Sequence, residues 1–149
     1  MQISEHAPSD ADSLRLMVTT GSQDALTKAF EMLMEEGDNV LVESPTYSGA
    51  LAALQPMGLN LVGIDTDGGG LVPESLAAIL SSWDTSKQGK KPRVLYTIPT
   101  GSNPTGATLS TQRRQAIYDL STEHDLIVLE DDPYWCLPLP LPLNPNPQP

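Results

Sequence analysis

Apolar residues along the chain follow two alternating patterns, and the alternation predicts an α/β fold. Short continuous apolar runs predict strands over 14–19, 39–43, 59–64, 94–98 and 126–129. Between them, apolar residues recur at three- and four-residue spacing, which predicts helices over 22–35, 50–57, 73–83 and 110–124. Strands that alternate with helices in this way are typical of a mostly parallel sheet with helices on both faces.

Capping residues mark where several of these elements begin. Ser22 and Ser110 are predicted N-caps, because a serine hydroxyl can accept a hydrogen bond from a free N–H of the first turn. Pro73 suits the first position of its helix. Two polar stretches, the acidic glycine turn 65–70 and the lysine-bearing segment 84–91, are predicted loops.

Charge and composition narrow the class of protein. A formal net charge of -11 argues against nucleic acid or an anionic membrane as a partner. The single cysteine, Cys136, excludes an internal disulfide and fits a reducing compartment. No apolar run approaches the roughly 20 residues of a membrane helix, and the polar first twelve residues resemble no targeting signal. These features predict a cytoplasmic protein, with the mitochondrion as the alternative if a further segment precedes Met1.

Composition also divides the chain into three segments. Residues 1–12 are polar and acidic and are predicted to be a loose leader. Residues 13–135 carry the α/β pattern. Residues 136–149 carry proline at alternate positions, which forbids helix and central strand and favours polyproline II, so we expect a disordered tail.

Polar and aromatic side chains follow the predicted strands, where open α/β sheets bind ligands. The turn after the first strand leads into a helix start, an arrangement that favours phosphate. Each of these residues also has a purely structural interpretation; an aromatic side chain, for example, can pack beneath its own helix. The candidates are Ser22, Gln23, Tyr47, Asn103, Asp131 and Tyr134.

The acidic run Glu130-Asp131-Asp132 after the last apolar strand allows a second interpretation. Carboxylates at the end of a buried strand require a positive partner, and Mg²⁺ is one candidate. The sequence contains no GxxxxGK[ST] phosphate loop, so a nucleotide triphosphatase is disfavoured.

Five strings, in order, resemble the class I/II (fold-type I) pyridoxal-phosphate aminotransferases, and most of all the kynurenine/2-aminoadipate and aromatic aminotransferase branch. They are Thr19-Thr-Gly-Ser-Gln23, Gly37-Asp-Asn-Val40, Glu43-Ser-Pro-Thr-Tyr-Ser-Gly49, Tyr96-Thr-Ile-Pro-Thr-Gly-Ser-Asn-Pro-Thr-Gly106 and Glu130-Asp-Asp-Pro-Tyr134. The resemblance implies transfer of an amino group between an aromatic or 2-aminoadipate-type amino acid and a 2-oxo acid, by a homodimer that carries pyridoxal 5'-phosphate.

The resemblance also assigns roles to the candidate residues. Asp131 would pair with the pyridine nitrogen of the cofactor and keep it protonated. Tyr47 would stack on the ring, and Asn103 would donate to the 3-oxygen, and both would also contact substrate. The remaining assignments are Tyr134 to the 3-oxygen, and Ser22 and Gln23 to the phosphate.

One element of the family pattern is not found. The Schiff-base lysine of the family follows the Asp-xx-Tyr element, whereas the lysines here are Lys28, Lys87, Lys90 and Lys91. We therefore expect a fragment of the large domain that lacks the catalytic lysine, binds the cofactor weakly and does not transaminate alone. The alternative is a non-catalytic truncated isoform or a subunit-interaction module.

The family fold sets further expectations. Its large domain is a seven-stranded, mostly parallel, three-layer sheet, of which five strands are recognisable. The strand predicted at 14–19 would lack its neighbour, and 126–129 would be an open apolar edge. By analogy, the Ser44–Pro45 and Asn103–Pro104 bonds are expected to be cis.

Overall fold

One sheet with helices on both faces forms the fold, as a computed structural model of the chain shows for residues 15–136. The predicted leader and the proline-rich tail beyond Cys136 lie outside the described residues. The elements in chain order are α1 Ser22–Leu33, β1 Asn39–Ser44, α2 Ser48–Leu54 with a 3-10 turn Gln55–Met57, β2 Asn60–Asp67, β3 Gly70–Leu71, α3 Pro73–Ser81, α4 Thr85–Gln88, β4 Val94–Thr97, α5 Thr111–Glu123 and β5 Ile127–Glu130.

The sheet has the strand order β3-β2-β1-β4-β5. β1 pairs in parallel with β2 and β4, and β4 pairs in parallel with β5. Only the two-residue β3 is antiparallel, against β2. The mostly parallel sheet predicted from the sequence is therefore confirmed, and β5 is an edge strand as expected.

Two apolar clusters, one on each face of the sheet, hold the layers together. Side chains of a strand alternate between its faces, so Val40 and Val42 pack against α1 and α2 while Leu41 packs against α3 and α5. Each buried Val, Leu, Ile or Phe side chain in these clusters contributes about 1.5–3 kcal/mol. The helix members of the two clusters are Leu26, Phe30, Ala50 and Leu54 on one face and Leu76, Leu80 and Ile117 on the other.

The strand predicted at 14–19 is wrong for the residues described, because 15–19 have no regular structure. A β-strand needs a neighbour to pair its backbone groups, and in this part of the chain none lies beside the segment. Its apolar side chains are consequently exposed: Leu16 by 71%, Met17 by 69% and Val18 by 91%.

Several predicted boundaries also require correction. The turn 65–70 is partly strand, because β2 continues to Asp67 and Gly70 begins β3. Ser22 is the first residue of α1 rather than its cap, which is Gly21, and its hydroxyl makes no capping bond. The 84–91 loop contains the short α4, capped by Asp84.

Other local predictions are confirmed. The Ser110 hydroxyl accepts a hydrogen bond from the Arg113 N–H and caps α5. Pro73 occupies the first turn of α3. Both Ser44–Pro45 and Asn103–Pro104 are cis. Among residues 15–136, no helix has the length and apolar character needed to cross a bilayer.

An ion pair joins α5 to the β2–β3 hairpin and gives stability a pH dependence. Arg113 donates two hydrogen bonds of 2.6 Å to the Asp67 carboxylate and lowers the pKa of that carboxyl from 3.8 to about 2. A lowered pKa stabilises the folded state above the unfolded pKa, so this contribution is lost as the pH falls from about 4 to about 2.

In urea unfolding between these pH values, Asp67→Asn should flatten the decline in stability. A decline that parallels the control Asp119→Asn would contradict this assignment.

Candidate cofactor site

A cavity of about 200 Å³ lies where the carboxyl ends of β1, β4 and β5 meet the start of α1. Parallel strands bring these ends to one edge of the sheet, so segments far apart in sequence contribute to one site. The lining residues are Ser22, Tyr47, Ile98, Asn103, Asp131, Pro133 and Tyr134. Five of the six candidate residues therefore line a single cavity.

Asp131 is held in place from two directions just beyond β5. Its N–H donates to the Thr97 carbonyl at 3.0 Å, and its Oδ2 accepts the Tyr96 hydroxyl at 2.9 Å. Burial, together with the negative charge of Asp131, raises the pKa of Tyr96. The phenol therefore stays protonated as a donor and orients the carboxylate.

Tyr47 is the cap residue of α2, and its ring lies across Gly49. A methyl group at Gly49 would overlap the ring at Cε1, Cζ and the hydroxyl, so this close approach requires glycine. Tyr47 also packs partly against the apolar cluster of α1 and α2. Its aromatic ring is thus fixed beside the cavity by backbone and core.

Replacing Gly49 with alanine should displace the Tyr47 ring without unfolding the chain. Alanine favours helix over glycine by about 0.5–1 kcal/mol, which offsets part of the steric cost. We expect the cofactor that the family resemblance implies, pyridoxal 5'-phosphate, to bind about tenfold more weakly to this variant than to the wild-type chain, since small displacements of positioning groups have large effects. Fluorescence titration and urea unfolding measure the two effects. Ser48→Ala is the control, and equal affinities for the two variants would contradict the prediction.

Asn103 sits in a loop that is closed by its own backbone. The Leu109 N–H donates to the Pro99 carbonyl at 2.9 Å, and the Ser102 N–H donates to the Ala107 carbonyl at 2.8 Å. Gly101, with a positive φ of 58°, lies against Tyr134. The loop thus brings the Asn103 amide to the same cavity as the Tyr134 phenol, which belongs to the segment after β5.

The start of α1 brings Ser22, but not Gln23, to the cavity. Ser22 is exposed in the first turn, where backbone N–H groups are free to bind an anion. The Gln23 amide instead donates to the Gly49 carbonyl at 3.0 Å, and this residue is not among those lining the cavity. Its side chain links α1 to α2.

The three carboxylates at the end of β5, Glu130, Asp131 and Asp132, do not converge on one point. Asp131 accepts from Tyr96, Asp132 accepts from the Thr100 hydroxyl at 3.0 Å, and Glu130 is exposed. In the described part of the chain, no group of three or more His, Cys, Asp or Glu side chains has the arrangement of a metal site. The geometry therefore does not favour the magnesium interpretation.

All four lysines lie away from the cavity lining. Lys28 pairs with Asp24 on α1 at 2.6 Å, and Lys90 pairs with Asp38 at 3.0 Å. Lys87 likewise pairs with Asp84, whereas Lys91 lies 3.3 Å from a ring nitrogen of His124.

Sequence reasoning assigned no role to two buried polar residues beside the cavity. Tyr96 orients Asp131, and Glu43 accepts hydrogen bonds from the last residue of β4 and from the residue after it. The available signal was a polar side chain inside an otherwise apolar strand, since such groups need a partner when buried. The strand residues at issue are Asn39-Val-Leu-Val-Glu43 and Val94-Leu-Tyr96.

An α/β sheet with an aromatic ring, an amide, a carboxylate and a helix start around one cavity is typical of domains that bind a small phosphorylated ring compound. The sequence matches the family Aminotransferase class I and II over residues 5–135. The chain belongs to this family, and the resemblance drawn from its motifs is confirmed.

Individual relatives are named for the branch of the family that the motifs resemble. The mitochondrial kynurenine/alpha-aminoadipate aminotransferase of Bos taurus is 46% identical over 134 residues, 87% of this chain and 31% of the relative. An aromatic amino acid aminotransferase of Schizosaccharomyces pombe is 48% identical over 125 residues, 83% of this chain and 26% of the relative. The chain thus spans about a third or less of these curated relatives.

Solved structures share the fold. The kynurenine aminotransferase of Pyrococcus horikoshii, in complex with PMP and with KYN as substrates and KYA as products, superposes with a TM-score of 0.71 at 41% identity. The match covers 77% of this chain and 28% of that chain. The expected fold, part of a fold-type I large domain, is thereby confirmed, and pyridoxal 5'-phosphate is the cofactor of the family.

Proposed function

We propose that this chain is the cofactor-binding part of a pyridoxal-phosphate-dependent aminotransferase. The observation that carries the proposal is the cavity, which five of the six candidate residues line. Their chemistry fits a planar, phosphorylated pyridine: an aromatic face, a carboxylate, a phenol and an amide surround the space, and a helix start lies at its border. We propose a role for each side chain from its position and from the family resemblance.

Asp131 would accept a hydrogen bond from the ring nitrogen and hold its proton. A carboxylate accepts several hydrogen bonds, so the bond from Tyr96 orients the group and leaves acceptor capacity for a ligand. When bound, the cofactor would supply an electron sink for the α-carbon of the amino acid. The negative charge of Asp131 would keep the ring nitrogen of the cofactor protonated.

Tyr47, Asn103 and Tyr134 would fix the plane and rotation of the ring. The Tyr47 ring supplies a flat apolar face, while the amide and the phenol would donate to the 3-oxygen. We also propose that Tyr47 and Asn103 contact the substrate. Ser22 and the N–H groups of the first turn of α1 would bind the phosphate. Gln23 is also proposed as a phosphate ligand. Its side-chain amide now donates to the Gly49 carbonyl, and this hydrogen bond would compete with binding of the phosphate.

The names of the relatives support the substrate class. We propose an aromatic or 2-aminoadipate-type amino acid and a 2-oxo acid as substrates, and a homodimer as the complete enzyme. Because none of the four lysines lines the cavity, we propose that this chain alone does not transaminate. The proposed compartment is the cytoplasm, and the mitochondrion is the alternative because the bovine relative is named a mitochondrial enzyme.

The test is a titration of the purified chain with pyridoxal 5'-phosphate, read by cofactor absorbance and by quenching of tryptophan fluorescence. We expect saturable binding of one equivalent, which pyridoxal without phosphate does not reproduce. After borohydride treatment, intact mass should show no stoichiometric adduct. A folded chain that does not bind the cofactor would overturn the proposed function, and a single modified lysine would overturn the claim of inactivity.

A second candidate function is a subunit-interaction module, and the exposed apolar segment 16–18 favours it. Three consecutive large apolar side chains in solvent provide surface for a protein contact. Co-purification with a full-length aminotransferase subunit, lost in a variant with serine at Leu16 and Val18, would support this function. Retained association in that variant would exclude the segment as the contact.

A further inference from the structure

A carboxylate is buried beside the cavity without lining it. Glu43 is the next-to-last residue of β1 and is only 2% exposed. Burying a carboxylate is costly unless hydrogen bonds replace its water. The partners of Glu43 therefore indicate what the residue does for the fold.

Three donors meet the Glu43 carboxylate, and all belong to the end of β4 or the loop that follows it. Oε1 accepts the Thr97 hydroxyl at 2.5 Å and the Ile98 N–H at 2.9 Å. Oε2 accepts the Ser102 hydroxyl at 2.8 Å. Hydrogen bonds to a charged acceptor are the stronger kind, so one side chain fixes both ends of the stretch 98–102.

One residue of the cavity wall lies in this stretch, and a second follows it directly. Ile98 lines the cavity, and Ser102 immediately precedes Asn103, which also lines it. β1 leads from Glu43 to Tyr47, a third lining residue, four positions later. The carboxylate is thus the direct link between the two segments that carry Tyr47 and Asn103.

We propose that Glu43 is a positioning residue for the cofactor site: its carboxylate holds the 98–103 loop so that the Asn103 amide faces the ligand opposite Tyr47. The inference deepens the proposed function and rests on it for the identity of the ligand. A role in stability alone would destabilise the chain without a specific dependence on Asn103.

A double-mutant cycle between Glu43 and Asn103 separates the two roles. In the complete chain, Glu43→Ala should weaken pyridoxal 5'-phosphate binding about tenfold or more, the order of effect of one lost charged hydrogen bond. Glu43→Gln should restore most of the affinity, because its amide oxygen still accepts from Ile98. In the Asn103→Ala background, Glu43→Ala should cause no further loss. The same loss in both backgrounds would overturn the proposal.

Hydrogen exchange of the chain without ligand tests the proposal independently of cofactor binding. Glu43→Ala should accelerate exchange in the peptide 98–107 about tenfold or more while leaving 60–71 unchanged. Glu74→Gln, an exposed carboxylate on α3, is the control. If Glu43→Ala fails to fold, Ser102→Ala, which removes one of the three donors, carries the same test with a smaller acceleration.

The two experiments distinguish a failure of the inference from a failure of the proposed function. A folded wild-type chain that binds no pyridoxal 5'-phosphate would overturn the proposed function, and accelerated exchange at 98–107 would still support Glu43 as the residue that holds the loop. Unchanged exchange in both Glu43→Ala and Ser102→Ala would overturn the inference, whatever the chain binds.

Discussion

Replacement of Asp131 by asparagine is expected to weaken binding of pyridoxal 5'-phosphate about 10- to 100-fold. The carboxylate would hold a protonated ring nitrogen, and a hydrogen bond to a charged group is worth about 1.5–3 kcal/mol. Asparagine keeps the size of the side chain and can still accept from Tyr96, so the change removes charge rather than shape. Equilibrium titration followed by tryptophan fluorescence measures the dissociation constants of wild type and variant.

The adjacent Glu130 provides a matched control for this measurement. Glu130→Gln removes the same unit of charge from an exposed residue that does not line the cavity. We expect its affinity to stay within about twofold of wild type, because exposed charges interact weakly through solvent. Comparable losses in the two variants would mean that net charge, rather than the position of Asp131, governs binding.

Replacement of Phe30 by alanine is expected to lower the free energy of unfolding by about 3–5 kcal/mol. Phe30 is fully buried and meets Tyr96 edge to face, with ring centroids 5.6 Å apart. The substitution leaves a cavity between α1 and the sheet and removes this aromatic contact. Because domains are stable by only about 5–15 kcal/mol, urea unfolding at 25 °C should show a large fraction of the stability lost.

Two further variants assign this loss to its cause. Phe30→Leu retains most of the volume and should cost less than half as much as alanine. Tyr96→Phe retains the aromatic contact but removes the hydroxyl that donates to Asp131, and it should cost about 1–3 kcal/mol by leaving a carboxylate without its donor. If Phe30→Ala lowered the free energy of unfolding no more than Phe30→Leu does, the core around Tyr96 would have to relax into the space left by the Phe30 ring.

The sequence predicts the parallel part of the fold well because its strands carry continuous apolar runs. β1 and β4 pack on both faces, and their alternating residues belong to two separate clusters. The segment 14–19 has the same composition but forms no strand where it is described. Strand formation depends on a neighbouring backbone, which local composition does not report.

The lining of the site follows from strand order, whereas its supporting contacts do not. Residues placed at the carboxyl ends of parallel strands meet at one edge, so Tyr47, Asn103 and Asp131 could be grouped from the sequence. That Glu43 bonds to Ser102, or that Gln23 turns to Gly49 instead of the cavity, depends on side-chain directions fixed by packing. Such contacts are set by the packing of the folded chain and cannot be predicted from the sequence alone.

The position of β5 at the edge of the sheet has a consequence for the order of folding. Asp131 follows the last strand, while Ser22 begins the first helix, so the two ends of the described chain must meet to close the cavity. Parallel pairing joins segments distant in sequence and forms slowly. During synthesis, Tyr96 remains without its carboxylate partner until β5 has left the ribosome. We therefore expect the cavity to close only after β5 has paired with β4.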